Sequence, residues 1–388
     1  MRAVVERLRE LDGLRAVALF GILTVNIWYF ADPWTFTGEL SPDHSSPSDI
    51  AVRFLVTMLF EGKFYLLFAF LFGYGFALQE RAADRAGVPV GPRMSRRLMV
   101  LAVLGLAHGF LLYFGDILLT YAVMGVVLLG VRTIRVRTAV LIAAGITVSM
   151  SMLLTLVGIF VALVDDPVDD GVIPAPDVAA LTEGPGPALA ANVEQYLIAL
   201  PSVLLFQGPL SLAMFLLGLA AARKGILERP PSSSILRRIA LTCLPIGLLA
   251  AAAQSYLLYY ADRDRFSLIS TGITTVTAPL QTAGYVCLLL LLFRTPPGRA
   301  VLKALAPAGR MALTNYLGQS LVLMVVFTGV GSGLANALPP AQVLGVVVVL
   351  FGAQMVMSRL WLSRFGLGPM EGLLRRVTYS TRERTPPA

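Results

Sequence analysis

The chain contains little charge for its size. Asp, Glu, Lys and Arg make up 14% of its 388 residues, whereas soluble domains carry roughly 25%. Hydrophobic residues reach 56%, and the mean hydropathy is +0.76. The shortage of charge, together with many long apolar runs, excludes an ordinary soluble domain and predicts an integral membrane protein.

Residues that carry much of metal and nucleophile chemistry are also scarce, with two cysteines and two histidines. Cys243 and Cys287 lie in apolar runs without metal-site spacing, so we expect both to be small buried hydrophobic side chains. The motifs GxxxxGK[ST], GxGxxG, HExxH and GxSxG are missing. Their absence disfavours an ATP-driven pump, a dinucleotide-binding enzyme and a zinc protease, and no metal is predicted.

The apolar runs predict an all-α, polytopic transmembrane bundle of about ten spans, because a helix needs about 20 apolar residues to cross a bilayer. Polar residues interrupt the stretch 50–62, which is therefore predicted to form a separate interfacial helix before the second span. The predicted spans are 14–30, 56–79, 97–114, 116–131, 138–164, 197–222, 239–260, 267–293, 309–330 and 341–362.

The distribution of lysine and arginine predicts the orientation. With the N-terminus in the cytoplasm, the inside segments hold 27 of the 31 Lys and Arg residues, and the outside segments hold only Arg53, Lys63, Arg263 and Arg265. Cytoplasmic loops carry such an excess, so both termini are predicted to be cytoplasmic. These clusters explain the net charge of +8 without a nucleic-acid partner.

Two long acidic loops, Ala31–Asp49 and Asp165–Gln195, are predicted on the outside. Their prolines and glycines argue against long regular structure. On the inside, Glu228–Ser234 is predicted to link a six-helix part (1–222) to a four-helix part (239–388) of a single transmembrane domain.

The third predicted span carries His108 in an otherwise apolar run, and Asp116 follows eight residues later. An ionisable residue at membrane depth is costly and marks a functional candidate with a partner nearby. A carboxylate bonded to one imidazole nitrogen would leave the other as a base. The alternative is a histidine bonded to a neighbouring helix, with Asp116 capping the next helix.

Arginines near the inner surface accompany polar groups deeper in the bundle. Arg97 precedes His108 by about 16 Å of helical rise, and the two can share one helix face. Arg15 and Asn26 repeat that spacing on the first helix. Asn26 is predicted to hydrogen-bond inside the bundle, with or without contact to a substrate.

The ninth predicted helix begins at Arg310 and places Asn315 and Gln319 on one face. Their amides are predicted to point into the bundle, toward either a substrate or a neighbouring helix.

Other polar residues have simpler explanations. His44 is predicted to be a solvated loop residue, with binding of an outside acceptor as the alternative. Glu61 and Lys63 are expected to pair with each other. Glu371, with the two arginines that follow it, is either an interfacial anchor or part of a mouth for an anionic ligand.

Several stretches of the chain resemble the YeiB family of bacterial multi-pass membrane proteins. They follow the family's order and span nearly the whole chain, with one departure at Gly372, where the family usually has tryptophan. The stretches are Leu11–Ile27, Glu61–Leu78, Gly105–Gly125, Gly309–Ser320 and Gly368–Tyr379.

This resemblance extends through the first helix to the transmembrane acyltransferases, namely heparan-α-glucosaminide N-acetyltransferase and the acyltransferase type 3 proteins. Those enzymes pass an acyl group from cytosolic acyl-CoA to an acceptor across the membrane. Type 3 proteins use an Arg and a His on the first helix, where this chain has Arg15 and Asn26. Heparan-α-glucosaminide N-acetyltransferase has its histidine in the outside loop after the first helix. The only histidine of this chain in that loop is His44, which has no matching motif around it, so His108 would have to supply the base from another helix.

The resemblance therefore implies a membrane-embedded acyltransferase of the bacterial plasma membrane. Its partners would be membrane lipids, acyl-CoA (acetyl-CoA above all) as donor and an unidentified acceptor, and such bundles often associate as homo-oligomers. His108 would act as base or carry the acyl group, and Asp116 would orient it. The remaining predicted roles are CoA binding by Arg15, Arg97 and Arg310, and oxyanion stabilisation by Asn26 or Asn315.

Two other classes remain open. A proton-coupled transporter or exporter of a small molecule or lipid would use His108 and Asp116 as a proton relay. A non-catalytic lipid-binding or scaffold protein would tolerate substitution of both residues.

Overall fold

The computed structural model describes residues 8–36, 41–163, 178–261 and 263–379, without the side chains of 263 and 264. Parts of both predicted outside loops, 37–40 and 164–177, therefore lie outside the described residues. Some of the arginines counted for the orientation also lie outside the described residues, namely Arg2, Arg7, Arg382, Arg384 and the side chain of Arg263. The described residues form helices and connecting turns, with no strand among them.

Sixteen α-helices make up the described part of the chain. They are α1 (Arg9–Asn26), α2 (Trp28–Ala31), α3 (Pro47–Leu59), α4 (Phe64–Arg85), α5 (Val90–Leu111), α6 (Leu118–Gly130), α7 (Val136–Leu163), α8 (Val178–Thr182), α9 (Pro185–Ser202), α10 (Gly208–Arg223), α11 (Ser233–Tyr260), α12 (Arg263–Arg294), α13 (Pro296–Arg310), α14 (Ala312–Phe327), α15 (Pro340–Phe365) and α16 (Pro369–Thr378).

Eight helical segments are long and apolar enough to cross a membrane, and two shorter apolar helices, α6 and α14, match the fourth and ninth predicted spans. The prediction of an all-α polytopic membrane bundle is thus confirmed. The separate helix predicted before the second span is also present, because α3 ends at Leu59 and α4 begins at Phe64.

The centre of the bundle contains α1, α4 and α10, most of whose residues are buried or half-buried. Glycines allow α4 and α10 to approach with their backbones nearly in contact. A Cβ on Gly73 would collide with the carbonyl oxygen of Phe215, and one on Gly218 would collide with that of Phe70. Small residues at membrane helix contacts serve this purpose.

The outer helices present apolar side chains away from the bundle. Only three residues of the 28-residue α7 are buried, and Leu141, Met152 and Phe160 are among its exposed side chains. Lipid tails are as apolar as these side chains, so such a surface is compatible with contact to lipid. The all-round apolar character of α7 thus fits a peripheral membrane helix.

The second acidic loop ends earlier than predicted. The sequence predicted irregular structure through Gln195, but α9 begins at Pro185 and continues into a π-helical turn, Val203–Gln207, before α10. Proline is tolerated in the first helical turn, where its missing N–H would have no partner within the helix. Pro185 therefore starts a helix rather than excluding one.

Helices from both predicted parts of the domain pack together. Gly309 of α13 lies against the backbone of Asp12 in α1, and the Ser151 hydroxyl of α7 donates to the carbonyl of Gly272 in α12 at 2.7 Å. We call the end of the bundle at which α1 begins the arginine-rich end, and the end at which α1 finishes the opposite end. The division at 222 and 239 remains a prediction.

Substitution of Gly218 by alanine is expected to destabilise the bundle by about 1–3 kcal/mol, because the added methyl group must displace the backbone of α4. Gly145→Ala in α7 is the matched control, since nothing lies within 4 Å of the position that a Cβ would take there. Thermal unfolding in detergent should show a lower melting temperature for Gly218→Ala only. Equal melting temperatures for both variants would contradict the close α4–α10 contact.

Candidate functional site

A buried chain of hydrogen bonds joins an aspartate, a histidine and a serine. His108 Nδ1 lies 2.8 Å from Asp116 Oδ1, and His108 Nε2 lies 2.8 Å from Ser320 Oγ. His108 is 1% exposed, Asp116 2% and Ser320 4%. The predicted His108–Asp116 pair is therefore present in the structure, with a hydroxyl on its free nitrogen.

The turn between α5 and α6 brings Asp116 back onto His108. Helix α5 ends at Leu111, and Asp116 Oδ2 accepts a hydrogen bond from the backbone N–H of Leu119 at 2.8 Å. Gly105, one turn before His108, leaves room for this approach, because a Cβ there would lie 2.8 Å from Asp116 Oδ2. One carboxylate oxygen of Asp116 thus binds the imidazole, and the other caps the start of α6.

Asn192 of α9 braces the same turn. Its amide nitrogen donates to the carbonyls of Gly109 at 2.9 Å and Phe110 at 3.0 Å, and its oxygen accepts from the N–H of Phe114 at 2.9 Å. These bonds satisfy backbone groups that a helix end leaves without partners. The side chain therefore holds the segment that separates His108 from Asp116.

The proton positions in this chain follow once Asp116 is taken as ionised and His108 as neutral. An ionised carboxylate can only accept, so His108 then donates its Nδ1–H to Asp116. In that state the other ring nitrogen, Nε2, is an acceptor for the hydroxyl of Ser320. A serine hydroxyl that donates to an imidazole oriented by a carboxylate is the arrangement that activates serine nucleophiles.

Aromatic rings enclose this cluster. The imidazole of His108 lies 5.0 Å from the ring of Tyr316 and 6.0 Å from that of Tyr113, between ring centroids. Tyr316 and Ser320 are four residues apart on α14 and therefore share one helix face. The rings surround the polar groups with apolar surface, which strengthens electrostatic interactions inside the site.

Asn315 and Gln319 belong to a network between α14 and α15. The Asn315 amide donates to the carbonyl of Ala308 at 3.0 Å and to the hydroxyl of Ser358 at 2.9 Å, and Gln319 donates to Gln354 at 2.9 Å. The interhelical alternative considered for these residues is therefore the observed arrangement, and it occupies the amide hydrogens of Asn315.

Arg15 and Arg97 lie together at the arginine-rich end. Arg15 Nη1 is 3.2 Å from Asp12 Oδ1, and its guanidinium reaches Gly75 of α4. Arg97 interacts electrostatically with Arg15 and with Glu371. Each arginine thus has an acidic neighbour, and two guanidinium groups side by side are suited to hydrogen-bond an anion.

Arg310 and Glu371 have structural partners at the same end. Arg310 donates to the carbonyl of Gly366 at 3.0 Å. Glu371 accepts from the N–H groups of Leu313 at 2.8 Å and Thr314 at 3.1 Å, so its negative charge lies at the positive N-terminus of α14. The carboxylate thereby positions the helix that carries Ser320.

The other predicted residues are not joined to the cluster. Asn26 is half-buried in the last turn of α1. His44 Nε2 lies 3.0 Å from the carbonyl of Asn336, so His44 helps dock its loop. Glu61 and Lys63 do not form an ion pair; Glu61 accepts from the Thr57 hydroxyl at 2.8 Å, and Lys63 donates to the Thr57 carbonyl at 2.9 Å.

Sequence reasoning missed Ser320 and Asn192. Ser320 lies on the helix already singled out for Asn315 and Gln319, and its four-residue spacing from Tyr316 was an available signal. Asn192 was assigned to an irregular loop, which concealed it. Among the residues the structure describes, no group of three or more His, Cys, Asp or Glu side chains could hold a metal ion.

Comparison with known proteins shows the family. The uncharacterized protein YxaH of Bacillus subtilis is 32% identical, over 96% of this chain and 94% of that protein. The uncharacterized protein YeiB of Escherichia coli is 30% identical, over 96% of each. The chain belongs to the YeiB family. A family model described as "Protein of unknown function (DUF418)" also matches residues 221–381. The resemblance seen in the sequence is therefore confirmed for the YeiB family.

The proton assignment in this YeiB-family chain can be tested by NMR. With His44→Gln, His108 is the only imidazole, because the chain has two histidines. We expect ¹⁵N shifts of a ring protonated at Nδ1, and Asp116→Ala should move protons toward Nε2 because the Nδ1–H acceptor is lost. Asp84→Ala, at an exposed residue, is the control; unchanged His108 shifts in Asp116→Ala would contradict the assignment.

Proposed function

We propose that this protein is a membrane-embedded acyltransferase that transfers an acyl group, such as acetyl, from acyl-CoA to an acceptor by way of Ser320. The observation that carries the proposal is the buried chain from Asp116 through His108 to the Ser320 hydroxyl, with 2.8 Å at both contacts. Arg97, about 16 Å along α5 from His108, provides with Arg15 a position for the anionic donor.

In the first half-reaction, the Ser320 oxygen attacks the thioester carbonyl and its proton passes to His108 Nε2. The tetrahedral intermediate then collapses, the carbon–sulfur bond breaks, and His108 returns the proton to the departing CoA sulfur. The products are free CoA and an ester between the acyl group and Ser320.

In the second half-reaction, His108 Nε2 takes the proton of an acceptor hydroxyl or amine as that group attacks the Ser320 ester. The ester bond breaks, and the proton returns to the Ser320 oxygen. Asp116 accepts the Nδ1–H bond throughout and stabilises the imidazolium that forms in each step.

The donor site lies at the arginine-rich end. Arg15 and Arg97 are the proposed contacts for the phosphates of CoA, because guanidinium groups bind phosphate oxygens in bidentate pairs. Arg310 is close to the start of α1 through the packing of Gly309 on Asp12 and extends this basic region. The thioester would then enter the bundle along α5 toward Ser320.

Two side chains are candidates to stabilise the oxyanion. Asn315 is disfavoured, because both of its amide contacts are to protein groups. Asn26 keeps its proposed role as a donor. Tyr316 is the second candidate, since its ring lies beside His108, 5.0 Å between centroids. Donors aimed at the developing charge are often the largest contribution to catalysis.

A transfer assay with variants tests the proposal. In purified protein with radiolabelled acetyl-CoA and no acceptor, we expect a covalent acetyl group on Ser320, detected by peptide mass spectrometry. Ser320→Ala should eliminate it, and His108→Ala should lower CoA release by at least about 100-fold, because general acid–base catalysis contributes that much.

The matched control is Ser255→Ala in α11. Ser255 is also fully buried, but its hydroxyl donates only to the carbonyl of Ala251 in its own helix, at 2.9 Å. Its CoA release should equal that of the unsubstituted protein. CoA release by Ser320→Ala and His108→Ala at the rate of the unsubstituted protein would overturn the acyltransferase proposal.

Proton-coupled transport of a small molecule or lipid is the second candidate function. It is favoured by the interruption of the sixth span, where Pro201 and the π-helical turn Val203–Gln207 separate α9 from α10. Such turns are frequent at functional sites. A relay through His108 and Asp116 does not require a serine, so flux driven by a pH gradient that survives Ser320→Ala would favour transport.

The proposed direction of transfer requires the arginine-rich end to face the cytoplasm of a bacterial cell, with both termini on the cytoplasmic side of the plasma membrane. This orientation is supported by the excess of Lys and Arg in the segments at that end.

Cysteine labelling in intact cells tests this orientation. Ser45 at the opposite end and Ser234 at the arginine-rich end are both exposed. In a background with Cys243 and Cys287 changed to alanine, a membrane-impermeant maleimide should label Ser45→Cys and not Ser234→Cys until the cells are broken. The reverse pattern would place the donor site outside the cell.

A further inference from the structure

A polar cavity of about 80 Å³ lies at the opposite end of the bundle, away from the arginines. Its walls come from the end of α1 and from α2, from α3 with the turn that follows, and from the end of α11. The residues that matter for its chemistry are Trp28, Tyr29, Arg53, Thr57, Glu61 and Tyr259. The volume suits a small solute or the headgroup of a larger molecule.

Arg53 is a buried cation on this cavity. It is 9% exposed, its guanidinium lies over the Trp28 ring at 4.2 Å, and Nη2 donates to Thr35 at 3.2 Å. The buried Nε of Arg53 and Nε1 of Trp28 have no hydrogen-bond partner among the described residues. Buried donors without partners are costly, and a ligand with acceptor oxygens would satisfy them.

Arg53 also lacks a carboxylate at ion-pair distance among the described side chains. Asp32 attracts it electrostatically, but the Asp32 carboxylate accepts from the Trp34 N–H at 3.1 Å instead. Burial raises the pKa of Asp32 above its usual value, which means that its charged form is less favourable there than in water. An anionic group of a ligand would compensate Arg53 more fully.

Glu61 supplies the opposite charge on the same cavity. It accepts from the Thr57 hydroxyl at 2.8 Å, and that hydroxyl lies 3.1 Å from the Tyr259 hydroxyl. The nearby Lys63 interacts electrostatically with Glu61, but its ammonium group donates its hydrogen bond to the Thr57 carbonyl. The cavity therefore contains one cation and one anion that are not paired with each other.

We propose that this cavity binds a small zwitterion, whose carboxylate or phosphate lies against Arg53 and Trp28 and whose ammonium group lies against Glu61. Separated opposite charges on a small cavity match a molecule that carries both, and they disfavour a molecule that carries only one. A free amino acid and the phosphoethanolamine headgroup of a lipid share this chemistry.

The cavity is connected to the serine–histidine–aspartate cluster by aromatic contacts. Tyr29, in the cavity wall, lies 6.4 Å from Tyr113, and Tyr113 lies 6.0 Å from His108, between ring centroids. If acyl transfer is the activity, the zwitterion is the acceptor awaiting entry between these rings. That assignment rests on the proposed function, whereas binding of the zwitterion does not.

Isothermal titration calorimetry of the full chain, in nanodiscs of phosphatidylglycerol and without acyl-CoA, tests the binding. The probes are glycine and O-phosphoethanolamine, with acetate and methylammonium as singly charged comparisons. We expect saturable one-site binding of at least one zwitterion, at least tenfold tighter than either comparison. If the source is lipid, nanodiscs that contain phosphatidylethanolamine should abolish the heat of O-phosphoethanolamine.

Variants test whether the charges of Arg53 and Glu61 are responsible for the binding heat. Arg53→Gln and Glu61→Gln should each weaken zwitterion binding at least tenfold, and Arg53→Lys should retain part of it, which separates loss of charge from loss of folding. Arg299→Gln, at an exposed arginine of α13, should bind normally. Ser320→Ala should also bind normally, so failure of acyl transfer leaves this test intact.

Two results would overturn the proposal. The first is the absence of saturable heat from both zwitterions in phosphatidylglycerol nanodiscs. The second is unchanged affinity in both Arg53→Gln and Glu61→Gln, with size-exclusion profiles like that of the unsubstituted protein.

Discussion

The hydrogen bond between Asp116 and His108 is the interaction on which the site depends. Neither side chain could remain in an apolar bundle without a partner, because unpaired buried polar groups are costly. The pairing requires the chain to turn back within eight residues. Gly105 gives room for that turn, Asn192 holds its carbonyls and amides, and α14 must approach to place Ser320 on the remaining imidazole nitrogen.

The same requirement organises polar groups elsewhere in the bundle. Gln319 donates to the Gln354 side chain, Gln354 donates to the backbone carbonyl of Asn315, and Glu371 satisfies the N-terminus of α14. Each contact also positions the helix that carries Ser320. In the cavity at the opposite end, Arg53 Nε and Trp28 Nε1 are buried without a hydrogen-bond partner among the described residues. These donors offer a place for a ligand.

These features separate along the bundle axis. Guanidinium groups gather at the arginine-rich end, the serine–histidine–aspartate cluster lies deeper along α5, and the cavity lined by Arg53 and Glu61 lies at the opposite end. A donor with phosphates and a zwitterionic second molecule would therefore approach the cluster from different sides. This separation is what transfer across a membrane requires, and a transporter would use the same order of sites.

The sequence by itself determined the membrane class, the approximate positions of the apolar helices, the separate helix α3 and the His108–Asp116 pair, because apolar run length and the cost of buried charge act locally along the chain. It misplaced the start of α9, since Pro185 reads equally as a loop residue or as the first residue of a helix. Only the tertiary structure decided that Ser320, 212 residues from His108, completes the cluster while Asn315 turns to Ser358. Helical periodicity identifies the face on which a side chain lies, but the neighbour of that face depends on how glycine contacts and polar pairs pack the whole bundle.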